Sequence, residues 1–183
     1  MKKEFPAIKT ERLLLRQFAD SDLENVFKGL SHPEVIKYYG VNFQTLEATK
    51  EQMSFFADLE KNDSGIWFAI CSADNKTFYG AGGLNNLSKE HKKAEIGFWL
   101  IPNFWGQGII KEAIPLICKY GFGSLGLNRI EAFVESENKN CKSVMAKLDF
   151  QYEGTMKNCE IKNGKFISLG IYVKLKDNLI KIE

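Results

Sequence analysis

The chain has 183 residues, of which 44% are hydrophobic and 26% are charged. This length and this apolar fraction suffice for one globular domain with a buried core, so we predict a single domain. Lysine and arginine number 25 against 23 acidic residues, and the formal charge of +2 gives no electrostatic reason to expect nucleic acid or a membrane as the main partner.

The sequence also lacks signals for membrane insertion, secretion and metal binding. No apolar run approaches the roughly 20 residues that span a bilayer, and the first residues lack the apolar segment of a secretion signal. The four cysteines, at positions 71, 118, 141 and 159, form no C-x-x-C pair. We therefore expect a cytoplasmic protein with reduced thiols and no metal.

The first half of the chain predicts one strand, two helices and a hairpin. The run "TERLLLRQF" has the pattern of a strand. A helix is expected over residues 21–30 with Asp20 as its cap, and another over residues 45–61 with Thr45 as its N-cap. The β-rich runs "IWFAICS" and "FYGAGGLNNL" flank the turn-like "ADNK", which indicates an antiparallel hairpin.

The second half predicts a strand–helix–strand unit, a further helix and a closing hairpin. The strand "AEIGFWLI" precedes a helix that ends near residue 122, and "RIEAFVE" follows it. A helix over residues 139–148 and two strands around Asn163-Gly164 complete the chain. A helical crossover makes its two flanking strands parallel, whereas the other strands should be antiparallel. The expected fold class is mixed α/β (α+β), with about seven strands, one central parallel pair and about four helices.

The stretch "IPNFWGQGIIKEA" places two glycines between a strand and a helix. Glycines there let backbone amides approach a ligand, and a helix N-terminus carries partial positive charge, so the stretch is suited to a pyrophosphate. Its spacing fits neither G-x-G-x-x-G nor a P-loop. Taken alone, Gly106 and Gly108 are better explained as the formers of a tight connection.

The segments "AEIGFWLIPNFWGQGIIKEA" and "NRIEAFVESENKNCKSVMAKLDF", in this order, resemble the GCN5-related N-acetyltransferases. Within that superfamily they are most similar to the branch of the ribosomal-protein N-terminal acetyltransferases RimJ and RimL. The resemblance covers residues 10–176, which we expect to form one acetyltransferase domain. It implies an acyltransferase that moves acetyl directly from acetyl-coenzyme A to a primary amine, without a metal.

The resemblance also implies the residues that bind coenzyme A. The family places the pyrophosphate on a loop of pattern [Q/R]-x-x-G-x-[G/A], which here falls on Trp105, Gly106, Gln107, Gly108, Ile109 and Ile110. Only Gly108 matches strictly, and Ile110 replaces a small residue. Pantetheine should lie like an extra strand between the parallel strands and bond to the main chain of Phe98, Trp99, Leu100 and Ile101. Asn140 should contact coenzyme A or an ordered water.

The resemblance implies an acid and a base as well. Ser143, three residues after Asn140 in an N-x-x-S pattern, would protonate the departing thiolate. Alternatively, Asn138 or Asn140 only caps the helix and Ser143 is incidental. Glu95 is the first candidate for the base that deprotonates the amine, and Glu160 is the second. An acetylated Cys141 is conceivable but disfavoured, because no histidine lies in an activating arrangement.

The acceptor stays open at this point. We favour a protein N-terminal α-amine, and a small amine such as a polyamine, an amino acid derivative or an aminoglycoside is the alternative. A non-catalytic acyl-coenzyme A binding domain is a third hypothesis, because Ile110, Asp149 and Ser168 depart from the family pattern. Asp149 replaces a glycine, although aspartate tolerates left-handed backbone better than most residues. Relatives are monomers or homodimers.

Overall fold

The computed structural model describes residues 5–176, and one eight-stranded sheet runs through them. Its strands are β1 (Ile8–Lys9), β2 (Leu13–Arg16), β3 (Ile66–Ser72), β4 (Phe78–Ser88), β5 (Lys93–Leu100), β6 (Arg129–Glu135), β7 (Gln151–Lys162) and β8 (Lys165–Leu175). They lie side by side in the order β1-β2-β3-β4-β5-β6-β8-β7. Only β5 and β6 are parallel, as predicted, and the other neighbours are antiparallel.

The fold class is confirmed, with one strand more than expected. The additional strand is β1, which pairs with β2 over two residues only. So short a strand lacks an alternating pattern that a sequence could display. The sheet thus begins at Ile8, ahead of the residue 10 at which we expected the domain to start. One domain over residues 10–176 stays a prediction.

Within residues 5–176, five α-helices accompany the sheet: α1 (Leu23–Leu30), α2 (Pro33–Ile36), α3 (Leu46–Lys61), α4 (Ile109–Gly123) and α5 (Lys139–Lys147). The four longer ones were predicted. Thr45 caps α3 as expected, because its hydroxyl accepts a hydrogen bond from the Ala48 amide at 3.1 Å. No helix between residues 5 and 176 is long and apolar enough to cross a membrane.

The cap expected for the first helix was wrong. Asp20 begins a short 3₁₀ turn, and no side-chain cap bond is found at the start of α1. The buried Asp22 instead accepts a hydrogen bond from the Ala19 amide at 2.8 Å and two from the Arg16 guanidinium. The capping bond at this start is thus made by Asp22 to the Ala19 amide, and not by Asp20.

Two apolar cores sandwich the middle of the sheet. Side chains alternate along a strand, so β5 contributes to both. One core, on the face covered by α4 and α5, contains Ala94, Ile96, Leu100, Ile114, Ile117 and Met145. The other, on the face covered by α1 and α3, contains Val26, Phe56, Trp67 and Trp99. We call these the α4 face and the α1 face. Burial on both faces fixes β5, from which the candidate site is built.

Candidate active site

The parallel strands β5 and β6 separate after a short paired segment. Their registered pairs are Lys93 with Arg129, Ala94 with Ile130, and Glu95 with Glu131. Beyond these pairs β5 continues to Leu100 beside β4, and β6 continues to Glu135 beside β8. The facing edges of the two strands therefore have unpaired main-chain groups, which border a cleft with Glu95 and Glu131 at its closed end.

The alternation of the strands decides which groups of β5 face this cleft. The Ile101 amide donates to the Tyr79 carbonyl at 2.9 Å and is therefore turned toward β4. Successive residues point their amides to opposite sides, so Trp99 also faces β4, whereas Phe98 and Leu100 face the cleft. Of the four residues expected to bind pantetheine through their main chain, the geometry suits Phe98 and Leu100.

The connection from β5 to α4 holds its carbonyls by internal hydrogen bonds. The Trp105 indole donates to the Leu100 carbonyl at 2.9 Å, and the Gln107 side chain donates to the Asn103 carbonyl at 2.9 Å. The amides of Phe104 and Trp105 donate to carbonyls three residues earlier, each at 3.0 Å. These bonds fix the bend and turn its acceptors inward.

The amides of the same bend are free. From Gly106 to Lys111, no backbone N–H donates to an acceptor within the part of the chain that the structure describes. The next amide, that of Glu112, makes the first helical bond, to the Gly108 carbonyl at 3.1 Å. Gly106 and Gly108 have φ of 75° and 79°, a region that side chains disfavour. Free donors at a helix N-terminus form an anion-binding site.

One contact of this bend was missed by the sequence analysis. The guanidinium of Arg12, between β1 and β2, donates to the Gln107 carbonyl at 3.1 Å and lies 3.6 Å from the Glu112 carboxylate. The Thr10 hydroxyl donates to the same carboxylate at 2.6 Å. No local pattern marks Arg12, because its partner Gln107 is 95 residues away in the chain.

Glu95 stands at the closed end of the cleft. Its side chain is half-buried and points to the α1 face, because its neighbours Ala94 and Ile96 point into the core on the α4 face. No donor in residues 5–176 bonds to its carboxylate. Glu95 is thus a half-buried carboxylate at the closed end of the cleft, and its role as the base stays a prediction.

Glu160 lies in another part of the sheet. Across the sheet Glu95 is level with Glu131 and Val173, whereas Glu160 is registered with Ile167. Residues 167 and 173 are about 20 Å apart along β8, since a strand rises about 3.4 Å per residue. The structure therefore does not bring Glu95 and Glu160 together, and only Glu95 borders the closed end.

The neighbour of Glu95 across the cleft, Glu131, is neutralised by an ion-pair network. Its carboxylate accepts hydrogen bonds from Lys93 at 3.1 Å and from Arg129 at 2.6 Å. Burial opposes ionisation of Glu131, but these two bonds outweigh it and hold the pKa of the carboxyl below its usual value. Arg129 also pairs with Glu153 through two hydrogen bonds, at 2.9 and 2.6 Å. The carboxylate of Glu131 therefore stabilises the fold through its bonds to Lys93 and Arg129.

Helix α5 presents Asn140 and Ser143 on its exposed side. Asn138 is the N-cap, since its side-chain oxygen accepts from the Cys141 amide at 3.0 Å. Asn140 is therefore not needed as a cap. The Ser143 hydroxyl has no hydrogen-bond partner among the described residues. Since α5 packs on the α4 face through Met145, Ser143 and Glu95 lie on opposite sides of the sheet.

Cys141 is a poor nucleophile in this setting. Burial raises the pKa of its thiol to about 12, so that the thiol is protonated at neutral pH. The two histidines of the chain are distant from it in sequence, and the His32 ring caps α2. In residues 5–176, no group of three or more His, Cys, Asp or Glu side chains is arranged to hold a metal ion.

Comparison with known proteins identifies the family. A family model described as an acetyltransferase (GNAT) domain matches residues 12–151. The chain is 36% identical over 173 residues to the uncharacterized N-acetyltransferase YoaA of Bacillus subtilis (strain 168), which covers 94% of this chain and 98% of YoaA. It is 31% identical over 123 residues to the putative ribosomal N-acetyltransferase YdaF of the same organism, over 66% of this chain and 63% of YdaF.

A solved structure agrees with this match at the level of the fold. It is RimL, a ribosomal L7/L12 alpha-N-protein acetyltransferase in complex with coenzyme A, at a TM-score of 0.84 and 21% identity over 94% of this chain and 99% of RimL. At this identity the likeness to RimL concerns the fold alone. The chain thus belongs to the GNAT acetyltransferase family and is an N-acetyltransferase.

Proposed function

We propose that the protein transfers acetyl from acetyl-coenzyme A to the N-terminal α-amine of a protein. The observation that carries this proposal is the cleft between β5 and β6 together with the free amides at its open end. A diphosphate needs donors grouped at one point, and a pantetheine chain needs an unpaired strand edge. The residues present fit both needs.

The roles of the chain's own residues follow from this arrangement. The amides from Gly106 to Lys111 would bind the diphosphate, and the main-chain groups of Phe98 together with the amide of Leu100 would bind the pantetheine amides. Asn140 would contact coenzyme A from α5. Acetyl-coenzyme A supplies a thioester, whose carbon an uncharged amine attacks.

Glu95 and Ser143 would then handle the protons of the reaction. Glu95 would accept the proton of the attacking amine on the α1 face, directly or through a water. Ser143 would donate its proton to the departing thiolate on the α4 face. Because the two side chains lie on opposite sides of the sheet, the amine and the leaving thiolate can occupy different sides of the cleft.

The choice of an α-amine as acceptor has a chemical and a comparative basis. An α-amine has a pKa near about 8, whereas that of lysine is near about 10.4, so far more of the α-amine is uncharged at neutral pH. One relative is named a putative ribosomal N-acetyltransferase. Such a reaction would take place in the cytoplasm, with the enzyme as a monomer or homodimer.

Acceptor profiling tests the proposal. Purified protein would be incubated with acetyl-coenzyme A and one of three acceptors: a lysine-free peptide with a free N-terminus, the same peptide with a blocked N-terminus and one added lysine, or spermidine. Mass spectrometry should find acetylation of the first peptide alone. Transfer to spermidine alone would favour the small-amine alternative. Binding of coenzyme A in calorimetry without any transfer would favour a non-catalytic domain, and absence of binding would contradict the whole proposal.

A further inference from the structure

Arg12 connects the start of the sheet to the bend that precedes α4. Its guanidinium reaches the Gln107 carbonyl at 3.1 Å and the Glu112 carboxylate at 3.6 Å. Glu112 is in turn held by the Thr10 hydroxyl at 2.6 Å. The turn between β1 and β2 is thereby joined to Gln107 within the anion-binding bend and to Glu112 directly after it. A guanidinium suits this task, since its fork of donors can serve two acceptors at once.

The bond to the Gln107 carbonyl also determines the direction of the next amide. A trans peptide is planar, and its C=O and N–H point in opposite directions. No cis peptide is found in residues 5–176. When Arg12 holds the Gln107 carbonyl, the Gly108 N–H must therefore point away from Arg12, and it is one of the free donors of the bend.

Without this bond, neither the C=O nor the N–H of the peptide between Gln107 and Gly108 would have a hydrogen-bond partner in residues 5–176. Gly108 has φ of 79°, and no atom of residues 5–176 lies within 4 Å of the position that a Cβ would take. Glycine populates positive and negative φ with similar ease, so the residue itself does not select one orientation of the peptide. The carbonyls of Leu100 and Asn103 are fixed by side chains of the bend, whereas that of Gln107 depends on Arg12.

We propose that Arg12 is a positioning residue for coenzyme A, which holds the Gln107 carbonyl so that the Gly108 amide stays turned toward the diphosphate. This inference rests on the proposed function. It requires no contact between Arg12 and the ligand. It assigns to the first strands of the sheet a role in ordering the phosphate-binding bend.

The test compares a donor that has the diphosphate with one that lacks it. In Arg12→Gln, the dissociation constant of coenzyme A by calorimetry and the KM for acetyl-coenzyme A should rise about fivefold to tenfold, because only a fraction of the molecules would then hold the Gly108 amide turned toward the diphosphate. The kcat should stay unchanged. With S-acetylpantetheine, which has no diphosphate, kcat/KM should equal that of the wild-type protein.

Two further variants separate positioning from charge and from folding. Lys9→Gln removes an exposed cation from the same turn region and should leave the affinity unchanged. Arg12→Lys keeps the charge but loses the fork, and it should lose most of the affinity that Arg12→Gln loses. Circular dichroism on each variant confirms that it is folded.

Several results would overturn the inference. The first is an unchanged affinity for coenzyme A in Arg12→Gln. The second is a loss of kcat/KM with S-acetylpantetheine that equals the loss with acetyl-coenzyme A. The third is a loss of coenzyme A affinity in Lys9→Gln that equals the loss in Arg12→Gln. Wild-type affinity in Arg12→Lys would reduce the role of Arg12 to its charge and would also overturn it. Failure of the proposed function itself would be seen in the wild-type protein, as absence of coenzyme A binding or of transfer.

Discussion

Replacement of Gly108 by alanine tests the phosphate-binding bend directly. Gly108 is the N-cap of α4 with φ of 79°, and a Cβ added there would meet no atom within 4 Å in the described part of the chain. The substitution therefore introduces backbone strain but no clash. A side chain in the left-handed region costs about 1 kcal/mol, so the free energy of unfolding should fall by about that amount. A backbone that relaxes from this strain would misdirect the neighbouring amides.

Gly126 offers a matched control. It has φ of 68°, its surroundings are equally open, and it lies in the connection from α4 to β6. Gly108→Ala and Gly126→Ala should show similar decreases in the free energy of unfolding, measured in urea. In thermal unfolding, the Tm of each should fall by about 2–4 °C. Calorimetry should then show weaker binding of coenzyme A, by about tenfold, for Gly108→Ala alone, which corresponds to about 1.4 kcal/mol.

The comparison can fail in a clear way. If both alanine variants bind coenzyme A with the affinity of the wild-type protein, despite their equal destabilisation, the amides around Gly108 do not bind the diphosphate. Equal loss of affinity in both would mean that strain anywhere near α4 weakens the site. Either result would refute the argument from the geometry of the bend.

Three other predictions concern catalysis and stability. Glu95→Gln should lower kcat by about a hundredfold while Glu160→Gln changes it little, because only Glu95 borders the closed end of the cleft; equal kcat values in steady-state assays would contradict this. Ser143→Ala should lower kcat more than it weakens coenzyme A binding, and Ser124→Ala on α4's exposed end is the control; a loss in binding alone would exclude the proton-donor role. In the folded protein, hydrogen bonds lower the pKa of Glu131 below its ordinary value of 4.5, so the stabilisation is present above pH 4.5 and is lost as pH falls through the folded pKa. In acid titrations, the free energy of unfolding should therefore depend less on pH for Glu131→Gln than for the wild-type protein, and an equal dependence would contradict this.

Local features of the fold could be predicted from the sequence because each depends on a few adjacent residues. The turn at Asn163-Gly164 has φ of 49° and 74°, which is the left-handed pair that a two-residue hairpin requires. Asp149 adopts φ of 59°, the left-handed conformation that the sequence allowed for an aspartate at this position. The helix capped by Thr45 follows from similarly short-range bonds. These positions needed no knowledge of the tertiary structure.

Features that depend on distant residues could not be predicted. The indole of Trp67 lies across Gly83 and Gly97, where a Cβ at Gly97 would come within 2.9 Å of the ring. The sequence shows two glycines on different strands and gives no sign that one side chain covers both. The early end of the pairing between β5 and β6, at Glu95, is likewise a property of the assembled sheet. The bond between Arg12 and Gln107 joins residues that only the fold brings together.

The isoleucine at position 110 shows why a departure from the loop pattern does not exclude the site. The pattern has a small residue there, and a branched side chain could narrow the loop. In the structure, however, Ile110 is half-buried and packs against the core on the α4 face, while its amide remains one of the free donors. The side chain of Ile110 thus contacts the core, whereas its amide is available to a ligand. Since the phosphate-binding groups are backbone amides, a small residue is required only where a side chain would project into the ligand, and Ile110 does not meet that condition.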